Sequence, residues 1–184
     1  MKIGITGGIG SGKSYICQKL AARGIYVYDC DSAAKHLIGS STDIQESLTR
    51  LIGPNTYLNG QLNKTAVAEF LLASENNAHY IDAIVHPAVA HDFEQSGATW
   101  MECAIIYESG FDRLVDKVIA VTAPKETRIK RVMLRDNISR EKALEWMSRQ
   151  WSQEEVTKRA DYEIVNDGTQ DVDRQLNELI NKMK

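Results

Sequence analysis

The sequence has little of what marks several large classes of protein. Its three cysteines, Cys17, Cys30 and Cys103, are odd in number and far apart, and no C-x-x-C occurs. That pattern indicates neither a zinc site nor a disulfide framework. It leaves each cysteine as a small buried hydrophobe and makes a reducing cytoplasm the expected location. No run approaches the roughly 18 apolar residues that a membrane span needs. The chain opens on a β-like run, with no signal-peptide core after Lys2. There is no excess of positive charge: 22 Lys and Arg against 25 Asp and Glu give a net charge of −3. That argues against a nucleic-acid binder relying on bulk charge. Repeats and low-complexity linkers are missing as well. The expected partners are small molecules, not nucleic acid or a membrane, and a monomer is favoured. What is present is 184 residues, 43% of them hydrophobic, enough for one α/β domain with an insertion.

Against this plain background, Gly7 to Ser14 read Gly-Gly-Ile-Gly-Ser-Gly-Lys-Ser, a complete G-x-x-x-x-G-K-[ST] loop. A short β-like run, Lys2 to Thr6, precedes it. After it, Ile16, Leu20 and Arg23 fall at i, i+4 and i+7, a helical period. Strand, glycine-rich turn and helix start together make a polyphosphate cradle. The loop's N–H groups point inward and the helix N-terminus adds partial positive charge. Lys13 is placed to reach the β- and γ-phosphates, and the Ser14 hydroxyl to ligate Mg²⁺. The bland alternative is a glycine-rich turn with an incidental Lys-Ser. A dinucleotide loop fails on register, because Gly8-Ile9-Gly10 would need a glycine where Lys13 stands.

Downstream, Gly24 is suited to end the first helix, and Ile25 to Tyr28 reads as a second strand ending in Asp29-Cys30-Asp31. Thr42 and Gln45 fit a capping box for a helix to Ile52, and Gly53-Pro54-Asn55 and Asn59-Gly60 are breaks. Asn63 is placed to cap a helix through Ala73. A further helix from Glu75 to Val85 is expected to end at His86-Pro87, with Pro87 starting the next. The apolar run Thr99 to Tyr107 fits a buried parallel strand, Lys117 to Thr122 another, and Tyr162 to Val165 the last. Strands separated by helices imply a parallel sheet with right-handed crossovers. The long gap after the second strand implies a helical insertion that carries a second substrate.

Several polar residues then become candidates. Ligands in open α/β sheets bind at the carboxyl ends of strands, where the second strand delivers Asp29 and Asp31. Asp31 can take a proton from an acceptor hydroxyl or bind Mg²⁺ through water, or it can cap the helix opening at Ser32; Asp29 has the same choices. Glu108 is expected at the end of the third strand, to order Mg²⁺ or the acceptor, or to cap near Ser109-Gly110. Arg128, Arg131 and Arg135 share one face of the helix after Pro124, with Arg140 and Arg149 following. They form either a solvated face, partly neutralised by Glu126 and Asp136, or a lid closing on phosphates. His79, His86 and His91 lack the pairing of a helical metal site, which leaves His86 to capping, packing or substrate contact. Trp146 and Trp151 read as packing residues before stacking platforms.

With these pieces placed, most of the chain resembles the dephospho-CoA kinase family. Ile3 to Ser14 is similar to the family's opening segment, and Asp29-Cys30-Asp31 to its Asp-x-Asp. Val85-His86-Pro87 resembles its His-Pro, Ala104 to Glu108 its Pro-Leu-Leu-Phe-Glu, Arg131 and Arg135 with Gln150 its lid pattern, and Ala160 to Asn166 its closing Ala-Asp-x-x-Ile-x-Asn. Ala104, Cys30 and Trp146 depart from the usual Pro, Ala and Arg, and Arg140 and Arg149 are the substitutes for the last. The resemblance implies a P-loop kinase with a five-stranded parallel sheet flanked by helices. The core is then about 1–31, 99–123 and 160–184, a helical acceptor-binding insertion about 32–98 and a lid about 124–159. It implies ATP-dependent phosphorylation of the 3′-hydroxyl of dephospho-CoA, giving CoA and ADP, with Mg²⁺. The implied donor contacts are Gly8, Ile9, Gly10, Ser11, Gly12, Lys13, Ser14 and Tyr15, with Asn166, Asp167 and Gly168 towards adenine. Asp31, Lys13 and Arg140 are the implied catalytic residues, and Asp31, His86 and Glu108 the acceptor contacts. The alternatives are a kinase for another small acceptor, such as a nucleoside monophosphate, and an acceptor-independent switch ATPase.

Overall fold

In the computed structural model, which describes residues 1–183, strand β1 (Ile3–Thr6) is buried at all four positions. That is the burial of a central strand covered on both faces. Five strands form its sheet: β1, β2 (Val27–Asp29), β5 (Trp100–Glu102), β6 (Lys117–Thr122) and β7 (Tyr162–Val165), in the order β2-β5-β1-β6-β7. β1 runs parallel to both neighbours, with Ile3 opposite Trp100 on one side and Lys117 on the other. β7 is parallel to β6. Helices α1 (Lys13–Ala21) and α9 (Val172–Lys182) cover the sheet with Ile16, Leu20, Leu176 and Leu179, which join Ile3, Ile5, Ile119, Val121 and Ile164 in one apolar cluster. α1 ends at the glycine read as its stop. Gly24 has φ 76°, and Ile25 N–H reaches back to the Leu20 carbonyl at 3.1 Å, closing the helix end.

By chain contacts, residues 1–28 with those from 98 onward make one compact unit, and residues 29–97 a second. The second unit holds α2 (Cys30–Ser40), α3 (Thr42–Ile52), α4 (Lys64–Ala73) and α5 (Asn77–Gln95). Asn63 caps α4 as its position predicted, accepting from the Thr65 and Ala66 N–H groups. The cap of α3 is Ser41, one residue before the expected Thr42, and Gln45 turns its amide to the Gly39 carbonyl instead of closing a box. Adjacent hydroxyl residues compete for that role, and helix geometry selects the one with extended backbone, Ser41 at φ −82°, ψ 117°. Asn59-Gly60 does more than break the chain. Both residues have positive φ, 51° and 76°, and they join β3 (Tyr57–Leu58) to β4 (Gln61–Leu62) in a two-residue hairpin.

Two expected boundaries are corrected. His86-Pro87 does not divide two helices: α5 runs through Pro87 for 19 residues. Val85, Val89 and Phe93 are buried along one face, and that packing outweighs the hydrogen bond which proline cannot donate. The apolar run after Thr99 is a strand only over Trp100–Glu102. Beyond Cys103 the chain turns, with Ser109 N–H on the Ile105 carbonyl and Phe111 N–H on that of Ile106. Ile106 is fully buried and occupies the space a side chain at Gly4 would need. A short apolar run does not by itself separate a strand from a buried turn. The remaining helices are α6 (Lys125–Asp136), α7 (Arg140–Ser148) and α8 (Gln153–Arg159), the last opened by a complete Ser152–Glu155 capping box. Among the described residues no helix is long and apolar enough to cross a membrane.

Candidate active site

The loop Gly7 to Gly12 leaves β1 at the carboxyl edge of the sheet and enters α1 through Gly12, whose backbone is left-handed at φ 95°. No side chain caps α1, so its first-turn amides face outward as an anion-binding end. Lys13 Nζ donates to the Gly7 carbonyl at 2.8 Å and lies 3.7 Å from Glu102 Oε1. Burial pulls the lysine's pKa below its ordinary value, while the Glu102 carboxylate holds it up. Ser14 and Tyr15 are exposed at the helix start. Glu102 lies beside Lys13, a placement the sequence does not single out, because the apolar run from Thr99 reads as a strand that continues past it. The available signal was the carboxylate itself, closing an apolar pair, Trp100-Met101, beside the P-loop strand.

Glu108, expected at that strand end, lies beyond the turn and accepts from the Trp151 N–H at 3.1 Å. Trp151 stacks on Tyr107 at 5.9 Å between ring centroids and 14° between planes, with the Arg159 guanidinium 4.5 Å from the Trp151 centroid. This is the packing role read for Trp151. Burial pushes the Tyr107 hydroxyl up to about 12.

The arginine stripe divides. Arg128 is buried at 6% exposure and its Nε donates to the Ile9 carbonyl at 3.0 Å. Arg131 donates to the carbonyls of Gly10, Ser11 and Asn166. Arg135 turns out to Asp136. Neither a uniform solvated face nor a uniform lid describes the three: a shared face says nothing of what that face meets, and here two of its members meet loop backbone. Arg140 pairs with both carboxylate oxygens of Glu126, at 2.6 and 2.8 Å, and Arg149 pairs with Glu145. Trp146 packs against the Ile129, Val132 and Ala143 cluster. Asn166 is buried beneath the loop, its Nδ2 donating to the Ser11 carbonyl at 2.9 Å. Gln150 Oε1 accepts the Ile9 N–H at 2.8 Å.

The family model for dephospho-CoA kinase matches residues 1–171. The chain belongs to the dephospho-CoA kinase family. A dephospho-CoA kinase of Bacteroides fragilis is 40% identical over 187 residues, covering 98% of this chain and 91% of its own length. Among solved structures, TT1252 from Thermus thermophilus is 31% identical with a TM-score of 0.85, covering 100% of this chain and 98% of that one. Dephospho-CoA kinase from Campylobacter jejuni, 22% identical with a TM-score of 0.68 over 100% of this chain and 98% of its own, shares the fold. The five-stranded parallel sheet flanked by helices is thus that of the P-loop kinases.

The family match spans the second unit too, where Asp29, Asp31 and His86 lie. Asp29, not Asp31, is the N-cap of α2, accepting from the Ser32 N–H at 3.0 Å. Asp31 sits in the first turn with an exposed carboxylate, and Lys35 one turn on donates to it. That hydrogen bond raises the lysine's pKa. His86, within α5 and not at a break, lies 3.5 Å from Asp82. Among the described residues no cluster of three His, Cys, Asp or Glu could hold a metal unaided. The Ser14 hydroxyl and Glu102 carboxylate are nonetheless hard oxygen donors, which suit an Mg²⁺ held mainly by substrate phosphates.

Proposed function

We propose that this protein transfers the γ-phosphoryl group of ATP to the 3′-hydroxyl of dephospho-CoA, giving CoA and ADP in the last step of coenzyme A synthesis. The observation that carries the reading is the family match, which covers residues 1–171 and so takes in both the donor loop and the second unit. The loop amides and Lys13 hold the β- and γ-phosphates. Ser14 and Glu102 would supply protein oxygens to a Mg²⁺ ion, which would contribute neutralisation of phosphate charge. Asp31 orients or deprotonates the acceptor hydroxyl, with His86 and Glu108 as further acceptor contacts in the proposed assignment. Arg140 is the proposed neutraliser of the moving phosphoryl group and exchanges Glu126 for phosphate to act. The segment at about 32–98 takes the acceptor and that at about 124–159 serves as the lid. Three cysteines in no disulfide support a cytoplasmic setting, and the reading needs only one chain.

The test is ADP release by purified protein with ATP and Mg²⁺. Release that depends on added dephospho-CoA is expected. Equal release without acceptor would make the protein a switch ATPase, and stimulation by AMP alone would make it a nucleotide kinase.

A further inference from the structure

Each carbonyl of the loop from Gly7 to Gly12 has a donor. Lys13 holds that of Gly7, and Ser11 N–H that of Gly8 at 3.1 Å. Arg128 holds Ile9, Arg131 holds Gly10, and Arg131 with Asn166 holds Ser11. The Tyr15 and Ile16 N–H groups hold Gly12. Four of these donors are local to the loop and helix. The other three, Arg128, Arg131 and Asn166, come from α6 and from the end of β7, more than a hundred residues on. They are also tied to each other, since Arg131 Nη2 donates to the Asn166 carbonyl at 3.0 Å and Asn166 N–H to that of Thr122 at 2.8 Å.

The peptide unit is planar and trans, with no cis bond among the described residues, so the carbonyl of one residue points opposite to the N–H of the next. Fixing the Ile9 carbonyl therefore aims the Gly10 N–H, and fixing the Ser11 carbonyl aims the Gly12 N–H. Gln150 completes the hold by taking the Ile9 N–H. We infer that Arg128, Arg131, Asn166 and Gln150 are positioning residues of the donor site, which hold the loop by its outer face so that its inner amides are preset for the β- and γ-phosphates. On this reading Arg128 and Arg131 do not bind phosphate. Arg131 Nη1 and Nη2 and Arg128 Nε lie on backbone carbonyls, and the phosphate-facing work belongs to amides and Lys13. The brace gives the ATP site its affinity without touching ATP.

The inference rests on the ATP-donor reading above, and ADP binding tests it without the acceptor. Full-length Arg131→Met, Arg131→Lys and Gln150→Met are compared with wild type by calorimetric ADP affinity, by KM for each substrate, by kcat and by Tm. Arg131→Met is expected to weaken ADP binding and to raise KM for ATP by the same factor, about tenfold for loss of charged hydrogen bonds. KM for dephospho-CoA stays unchanged, and Arg131→Lys recovers part of the loss. Gln150 is only half-buried and its variant tests the same brace if Arg131→Met does not fold; about a threefold loss of ADP affinity is expected. A collapse of kcat with ADP affinity intact would overturn the inference, because it would place Arg131 on the transferring group. Unchanged ADP affinity with a lowered Tm would also overturn it, leaving the contacts merely structural. Wild-type protein that binds no ADP would instead sink the donor reading.

Discussion

Replacing Glu102 by Gln removes the counter-charge of Lys13 while leaving its size and its hydrogen-bonding oxygen. The two side chains are 3.7 Å apart and only 11% and 17% exposed. At an effective dielectric near 20, unit charges at that distance attract by about 4.5 kcal/mol. Desolvation of both groups offsets part of this, and Lys13 keeps its bond to the Gly7 carbonyl. The net loss in the nucleotide-free protein is therefore about 1–3 kcal/mol, a fall in Tm of roughly 2–12 °C for a chain of this size. Metal-free ATP supplies Lys13 with phosphate in place of Glu102, so the gap between variant and wild type narrows at saturating ATP. Omitting metal keeps any loss of Mg²⁺ binding out of the comparison. The pH dependence has a definite sign. Burial already lowers the Lys13 pKa and Glu102 raises it, so the variant's lysine loses its proton at a lower pH. A neutral lysine attracts triphosphate poorly, so ATP affinity falls as pH rises through that pKa, and the fall begins earlier in Glu102→Gln. Thermal melts with and without ATP, and ATP affinity titrated on the alkaline side, read both effects. An unchanged Tm together with an unmoved alkaline limb would show that Glu102 is not the group that steadies Lys13.

Asp31→Asn should keep ATP affinity and lose about 10²–10⁴ in kcat if Asp31 is the base; near-normal turnover would pass the role to Asp29, to Glu108 or to no base. Pro87→Ala restores an N–H inside α5. Against a cost of about 3 kcal/mol for an interior proline, about 0.4–1 kcal/mol is lost through the more flexible unfolded chain. A rise in Tm is expected, and an unchanged or lower Tm would show that the helix has already absorbed the missing bond. Asp167 accepts from the Thr169 and Gln170 N–H groups, which hold its carboxyl down to about 2. A depressed carboxylate contributes stability above the ordinary carboxylate range and loses it as pH falls through its folded pKa. Asp167→Ala should thus be less stable than wild type at neutral pH, with the difference shrinking between about pH 4 and pH 2; a pH-independent difference in denaturant melts would refute the assignment.

What the sequence disclosed was local in origin. The P-loop, the Gly24 stop and the Asn63 cap each depend on a few neighbouring residues and their backbone, so their chemistry shows in a short window. The hairpin at Asn59-Gly60 was half visible: the turn has its own signature, but two-residue strands are too short to alternate. α5 through Pro87 and the turn at Ile105–Ser109 were hidden because distant packing decides them. The site divided along the same line. Lys13 and Ser14 were readable from the loop, whereas Glu102 needed the true end of β5. Periodicity put Arg128, Arg131 and Arg135 on one face, yet buried arginine is rare enough that a sequence reader sends all three towards water or phosphate.

The glycines of the loop show where the arginines go instead. Inward-facing amides alone require glycine only where the backbone φ is positive, at Gly7, Gly10 and Gly12. Gly8 has no such φ, yet a Cβ there would run into the Arg128 guanidinium. A Cβ at Gly10 would meet the Arg128 backbone and Val132, and one at Gly12 would meet the Asn166 amide. At Gly8, Gly10 and Gly12 the loop therefore has no room for a side chain, and there Arg128 and Asn166 come close enough to reach its carbonyls. Loop and brace constrain each other: an alanine at Gly8 should mimic loss of the Arg128 contact, although position 8 itself keeps an ordinary backbone. A glycine-rich motif followed much later by a helix of arginines is thus one device seen from its two sides.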